Sequence, residues 1–171
     1  MPTVLCDSGP LIALAKINRL QLLIDLWGTV HVTETVYQEA VAFGQAQGAP
    51  DALTIRLFWQ QHKLPVIAVP DDVLAAYQPA ITLDPGERAT FAYARTLRDV
   101  LVLVDDEDAR TEARRLGLPV RGTLGVLVEA HRRALLTLPE VELLLNEIAA
   151  RPDIWISADL CARVLKSLRS A

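Results

Sequence analysis

Lysine is scarce in this 171-residue chain, with only Lys16, Lys63 and Lys166. Arginine brings the basic count to 17, against 21 acidic residues, for a formal charge of −4. That balance excludes a strongly basic protein that would hold phosphate through its overall field. Any nucleic-acid contact must come from a local patch or from bound cations. Cysteine is confined to Cys6 and Cys161. They form no CxxC pair and no disulfide framework, which points to a reducing, cytoplasmic setting. No uncharged apolar run reaches the roughly 18 residues of a membrane span. Only a short, mostly apolar segment without Lys or Arg precedes Asp7, unlike a secretory signal. Neither a P-loop nor a GxGxxG motif occurs.

The residues present describe a folded, soluble chain. Hydrophobic residues make up 51% and mean hydropathy is +0.26, which excludes disorder of the whole. The length fits one domain over 1–171, and a chain of this size buries about 70% of its unfolded surface.

Short apolar runs alternate with helical patterns. Thr3 to Cys6 reads as a strand stopped by Asp7-Ser8-Gly9-Pro10. Apolar residues from Leu11 to Leu26 fall at helical spacings. Thr29 to Val32 is a brief β-branched run, followed by a helix from about Thr33 or Glu34 to Phe43 and a loop over Gly44–Pro50. Asp51 stands where it would cap a further helix, and Pro65 to Val69 is extended. Asp84-Pro85-Gly86-Glu87 is the clearest helix start: a cap, proline at the first position, and Glu three residues after the cap. Val100 to Val104 is the clearest strand, and its unbroken aliphatic run implies burial on both faces. A polar helix from about Glu107 to Leu116 stops at Gly117, Leu118–Val120 is a short strand, and Gly122-Thr123 opens a helix to about Leu136. Two C-terminal helices, near Glu140–Ala149 and Ala158–Leu168, complete the core or an interface from about residue 139 onward. The alternation predicts an α/β fold, a three-layer α/β/α sandwich with a mainly parallel central sheet. In such sheets the active crevice lies outside the carboxyl ends of the strands.

Acidic residues fall at those ends. Asp7 follows the first strand, and Asp105, Asp106, Glu107 and Asp108 follow the strongest one. Neighbouring strands would bring these carboxylates together, and like charges about 4 Å apart repel by about 4 kcal/mol at an effective dielectric of 20. Protonation, an Arg or Lys partner, or a hard divalent cation relieves that repulsion. No lysine lies beside them, so a cation site is favoured. Simpler roles stand beside this one: Asp7 as a helix cap, Asp105–Asp108 as acids at a helix N-terminus, Glu87 as half of a capping box, and Glu39 as solvated surface.

Six segments in order resemble the PIN domains, metal-dependent nucleases that include VapC-type toxins. Val4-Leu5-Cys6-Asp7-Ser8-Gly9-Pro10-Leu11-Ile12 is similar to their first motif, and Val36–Glu39 to the second acidic motif. Leu83-Asp84-Pro85-Gly86-Glu87-Arg88-Ala89 resembles the third acidic position in a branch carrying Gly-Glu. Val102–Arg110 resembles the fourth. Gly122–Leu127 and Asp153-Ile154-Trp155-Ile156-Ser157 match features of a less characterised PIN-like branch. Members of the family carry a Thr two residues before the fourth acid, where this chain has Val104 if Asp106 is aligned there; alignment on Asp105 is the alternative. Glu87 for Asp adds a methylene of reach.

The resemblance implies hydrolysis of RNA phosphodiester bonds with Mg²⁺ or Mn²⁺. It implies Asp7 and Asp106 as inner ligands, Glu39 and Glu87 as direct or water-mediated ligands, and Asp105 as the alternate ligand or its support. Asp7, Glu39, Glu87 and Asp106 form the catalytic set. Ser8 and Thr123 are placed to bond a ligand or phosphate oxygen, or simply to start helices. An RNA substrate, an antitoxin partner in a toxin–antitoxin pair, and a homodimer are family-level expectations.

Nine of the 14 arginines lie between Arg88 and Arg133. They read either as phosphate contacts or as helix faces paired with Glu112 and Glu129. His31, His62 and His131 have no metal spacing. Trp27, Trp59 and Trp155 read as core or interface anchors rather than ligand platforms, and Phe91 and Tyr93, the only aromatics among the clustered arginines, give no support for base stacking there. The competing reading is a PIN-fold binding or regulatory module with weak or no catalysis. An aspartyl-phosphate enzyme is disfavoured, because it needs a strand-end lysine.

Overall fold

The computed structural model describes residues 1–171. Its strands are β1 (Thr3–Cys6), β2 (Val32–Thr33), β3 (Val66–Ile67), β4 (Val100–Leu103) and β5 (Val120–Arg121). All pairings are parallel: β1 with β4, β4 with β5, and β2 with β3. A parallel bridge between Leu5 and His31 joins the two sheets into the order β3-β2-β1-β4-β5.

The helices are α1 (Ser8–Lys16), α2 (Gln21–Trp27), α3 (Glu34–Tyr37), α4 (Gly44–Ala46), α5 (Pro50–His62), α6 (Asp71–Ala75), α7 (Pro85–Ala94), α8 (Glu107–Arg115), α9 (Thr123–Arg132), α10 (Leu138–Ala150) and α11 (Ala158–Arg169). Between α3 and α4 the chain forms a π-helix over Gln38–Phe43.

Side-chain alternation divides the core. Val4, Cys6, Leu101 and Leu103 point to one face of the sheet and pack with residues of α1, α2, α5, α9 and α10. Leu5, Val100, Val102 and Val104 point to the other and pack with α7 and α8. The sheet is thus an inner layer between two helical layers, and each fully buried aliphatic side chain contributes about 1.5–3 kcal/mol. All four residues of β4 are buried, which explains its unbroken aliphatic run. No helix is long and apolar enough to cross a membrane.

Local departures from the sequence expectation have identifiable causes. The Leu11–Leu26 pattern is two helices, because Asn18 turns left-handed (φ 55°) between them. The helix after β2 continues through the π-helix into Gly44–Ala46, so only part of the expected Gly44–Pro50 loop is irregular. Asp51 lies in the first turn of α5 rather than capping it; Ala49 holds the cap position. The helix from Thr123 ends at Arg132 rather than near Leu136, where Ala134 turns left-handed (φ 58°). The short strand before it is shifted to Val120–Arg121.

Candidate active site

Parallel register brings the strand ends level. Cys6 pairs with Leu103, and Leu103 with Arg121, so Asp7, Val104-Asp105 and Gly122-Thr123 leave the sheet side by side. Asp7 donates its backbone N–H to Leu103 O (2.9 Å) and stands at the N-cap of α1, but its side chain makes no capping bond. The carboxylate is 4% exposed and its Oδ1 has no hydrogen-bond partner. Burial, then the charges of Asp84 and Glu87 and the weaker one of Glu39, push the Asp7 carboxyl well above its usual range. A buried charge in this state is costly unless something positive meets it.

The other acids arrive from separate elements. Glu39 projects from the π-helix and accepts a hydrogen bond from the backbone N–H of Gly86 (3.0 Å). A side chain at Gly86 would collide with that carboxylate, so glycine permits the approach. Burial and the Asp84 charge raise the Glu39 carboxyl, offset in part by the Gly86 N–H and the Ser8 hydroxyl. Glu87 closes the expected capping box: its own N–H donates to Asp84 Oδ1 (2.8 Å), and the Asp84 N–H donates to Glu87 Oε2 (3.0 Å). Burial is the first cause that pushes the Glu87 carboxyl up to about 7; Asp84, Asp106 and Glu39 add to it.

The adjacent aspartates differ in role. Asp105 is held by the Thr123 N–H (2.6 Å) and hydroxyl (2.7 Å), and Gly122 leaves no space for a side chain beside it. Burial raises its carboxyl despite those bonds and the nearby Arg110. Asp106 is exposed and caps α8 by accepting from the Ala109 N–H (2.9 Å). Asp7, Asp84, Glu87, Asp105 and Asp106 line one cleft of about 690 Å³. Glu39 lines an adjoining groove of about 530 Å³, which shares Ser8, Gly9 and Asp105 with the cleft.

The family model DUF3368, described as a PIN domain, matches residues 3–170. The chain belongs to the PIN domain family. No curated protein and no solved structure matches it. PIN domains are generally nucleases and typically use Mg²⁺ or Mn²⁺.

The donor chemistry suits such an ion: every acid here offers oxygen, and Asp7 Oδ1 is a buried acceptor with nothing to accept from. As the side chains lie, no three of these acids gather around a common point as metal ligands. The reason is local, since Glu39, Glu87, Asp105 and Asp106 each turn toward a backbone N–H or hydroxyl.

Asp84 is the acid that sequence reasoning treated only as a cap, although it is the foremost charge acting on both Asp7 and Glu39. Its place in the capping box beside Glu87 was the available signal. Thr123 bonds Asp105, 18 residues away in the chain, a link no local pattern carries. Of the nine clustered arginines, only Arg110 and Arg121 reach the PIN cleft. Both are themselves paired, Arg110 with Glu107 (3.9 Å) and Arg121 with Glu129 (3.2 Å); Arg114, Arg115 and Arg133 pair with Glu107, Glu112 and Glu129, and Arg88 bonds Leu74 O. Trp27 and Trp59 are buried as core anchors, whereas Trp155 is 96% exposed and takes no part in the core.

Proposed function

We propose that this PIN domain, spanning 1–171, is a divalent-metal-dependent ribonuclease that hydrolyses RNA phosphodiester bonds. The observation that carries the reading is the buried, unpartnered Asp7 Oδ1 surrounded by Asp84, Glu87 and Glu39 at the floor of an open cleft. Asp7, Glu39, Glu87 and Asp106 are the residues assigned to Mg²⁺ or Mn²⁺ and to catalysis. A bound ion of this kind supplies charge for the phosphoryl oxygens and lowers the pKa of an attacking water.

The protein's own groups do the remainder. Asp7 holds negative charge at a fixed point on the rigid end of β1. Burial and the neighbouring acids push the Glu87 carboxyl up in the metal-free protein, and a bound cation would favour its ionised, ligating form. Asp105 fixes the Gly122-Thr123 turn through both of its oxygens and is assigned support rather than inner ligation. Arg110 and Arg121 supply the cleft's two arginines for the phosphate backbone. A cytoplasmic toxin of a toxin–antitoxin pair, acting as a homodimer, is the setting we assign to it.

The test is cleavage of end-labelled RNA by the purified chain. Cleavage in Mn²⁺ should disappear with EDTA and with Asp7→Asn. Cleavage that survives both would refute the reading. The alternative, a metal-binding PIN module without turnover, is favoured by one observation: the acids do not gather around a single point. Metal uptake without cleavage of structured or single-stranded RNA would decide for it.

A further inference from the structure

Trp155 is the most exposed large apolar side chain in the protein, at 96%. Its neighbours hold the backbone beneath it. Ile154 is buried in the main core and Ile156 packs against it. Asp153 accepts from Arg151 Nε (2.9 Å) and Nη2 (2.8 Å), and lies 3.4 Å from Lys16 Nζ. Ser157 caps α11 by accepting from the Leu160 N–H (3.1 Å). An indole anchored on both sides yet facing water is unusual, because tryptophan is among the most heavily buried residues on average.

Its position gives the exposure a use. Trp155 lines the acidic cleft that contains Asp7 and also the adjoining groove that contains Glu39 and the 62% exposed Phe43. Six acids line the first cleft against Arg110 and Arg121. Six acids to two arginines keep phosphate contacts weak there until a cation is bound, so contacts that carry no charge add to the affinity of an entering strand. A flat aromatic face provides one, because every base has a π-face to stack.

We infer that Trp155 is a stacking platform for an unpaired nucleobase of the RNA strand whose backbone enters the acidic cleft. The inference rests on the nuclease reading for its choice of ligand. Phe43, exposed in the same groove, offers a second aromatic face for a neighbouring base. Affinity gained by stacking depends little on salt, in contrast to binding through phosphate contacts.

The full-length Asp7→Asn chain in Mg²⁺, titrated into a fluorescein-labelled ten-nucleotide single-stranded oligoadenylate and followed by both anisotropy and tryptophan emission, tests this. Trp27 and Trp59 are buried, so quenching of the accessible tryptophan emission reports Trp155. The expected results are quenching on binding, affinity about tenfold or more weaker for Trp155→Ala, and near-full affinity for Trp155→Phe. An oligonucleotide with abasic positions should bind as weakly as Trp155→Ala does to the intact one. Circular dichroism should show both variants folded, since the side chain supports no packing. Unchanged affinity in Trp155→Ala, binding without quenching, or no binding at all would overturn the inference. So would loss of a protein partner by Trp155→Ala with oligonucleotide affinity intact, which would make the indole a protein contact. Stacking without cleavage by the unmutated chain would sink the nuclease reading and leave this inference standing. Cleavage with KM unmoved by Trp155→Ala would do the reverse.

Discussion

Asp7 and Glu112 are two buried carboxylates with opposite surroundings. Glu112, 1% exposed, accepts from Tyr77 OH (2.9 Å), the Ala80 N–H (3.2 Å) and both Arg115 Nε (2.8 Å) and Nη2 (2.6 Å). The Arg115 hydrogen bonds lead in holding its carboxyl down at about 2. Asp7 is almost as buried, faces other acids, keeps an oxygen unpartnered, and is pushed up. Burial alone therefore does not decide the charge state; the partners do. Glu112 is built to stay ionised, and it ties the segment after α6 to α8. Asp7 is built to be costly until a positive charge arrives, a condition expected of a ligand and not of a scaffold.

The largest effect should come from removing the Asp7 charge while keeping its shape. Asp7→Asn should lower RNA cleavage by about 10²–10³-fold or more, measured as initial rate in Mn²⁺. Removing the equivalent charge on the other side of the comparison should do the opposite. Glu112→Gln should leave the rate intact well below the melting transition yet cost about 2–3 kcal/mol of stability. That corresponds to a Tm lower by about 4–10 °C. In the metal-free protein at neutral pH, Asp7→Asn should instead stabilise by about 1–2 kcal/mol, read from denaturant midpoints. Equal Tm losses in the two variants would erase the distinction.

Titration should show the same contrast with opposite signs. The Glu112 carboxyl is lowered from 4.5 to about 2, so its stabilisation is present above pH 4.5 and is lost as pH falls toward 2. The Glu87 carboxyl is raised from 4.5 to about 7, so its contribution is present below pH 4.5 and is lost as pH rises through 7. Metal-free protein should accordingly lose stability between pH 4.5 and 7, and added Mn²⁺ should restore it above that range. A metal-free stability that rises across the same interval would contradict the assignment. The smallest effect belongs to Gly86→Ala. Alanine early in a helix ordinarily stabilises, but here the added carbon meets Glu39. A net cost of about 1 kcal/mol is expected, together with slower cleavage.

Much of this arrangement is visible in the residues themselves. The aliphatic run of β4, the capping box of α7 and the left-handed Gly117 after α8 are local signals with local causes. Asp7 and Asp105–Asp106 could be placed because strand ends are legible and parallel sheets gather them on one side. The split at Asn18 was hidden because the apolar spacing runs across it. The five-residue α6 buries no side chain and so leaves no periodic mark. Asp84's second role, Thr123's grip on Asp105 and the exposure of Trp155 depend on which chain segments meet. A side chain's chemistry cannot announce its neighbours. The residue type left core and interface both open for Trp155, and its two flanking isoleucines take the inward positions.

The π-helix at Gln38–Phe43 makes Glu39's aim depend on register. A wider turn accommodates a residue that an α-helical turn would not. Deleting one residue downstream, between Ala40 and Phe43, should let the segment relax to ordinary helix with its apolar face re-formed. The flanking α-helical turns would keep their faces, and only the residues inside the wide turn, Glu39 among them, would change aim. A lost codon there should therefore move one acid of the candidate site while leaving the fold in place.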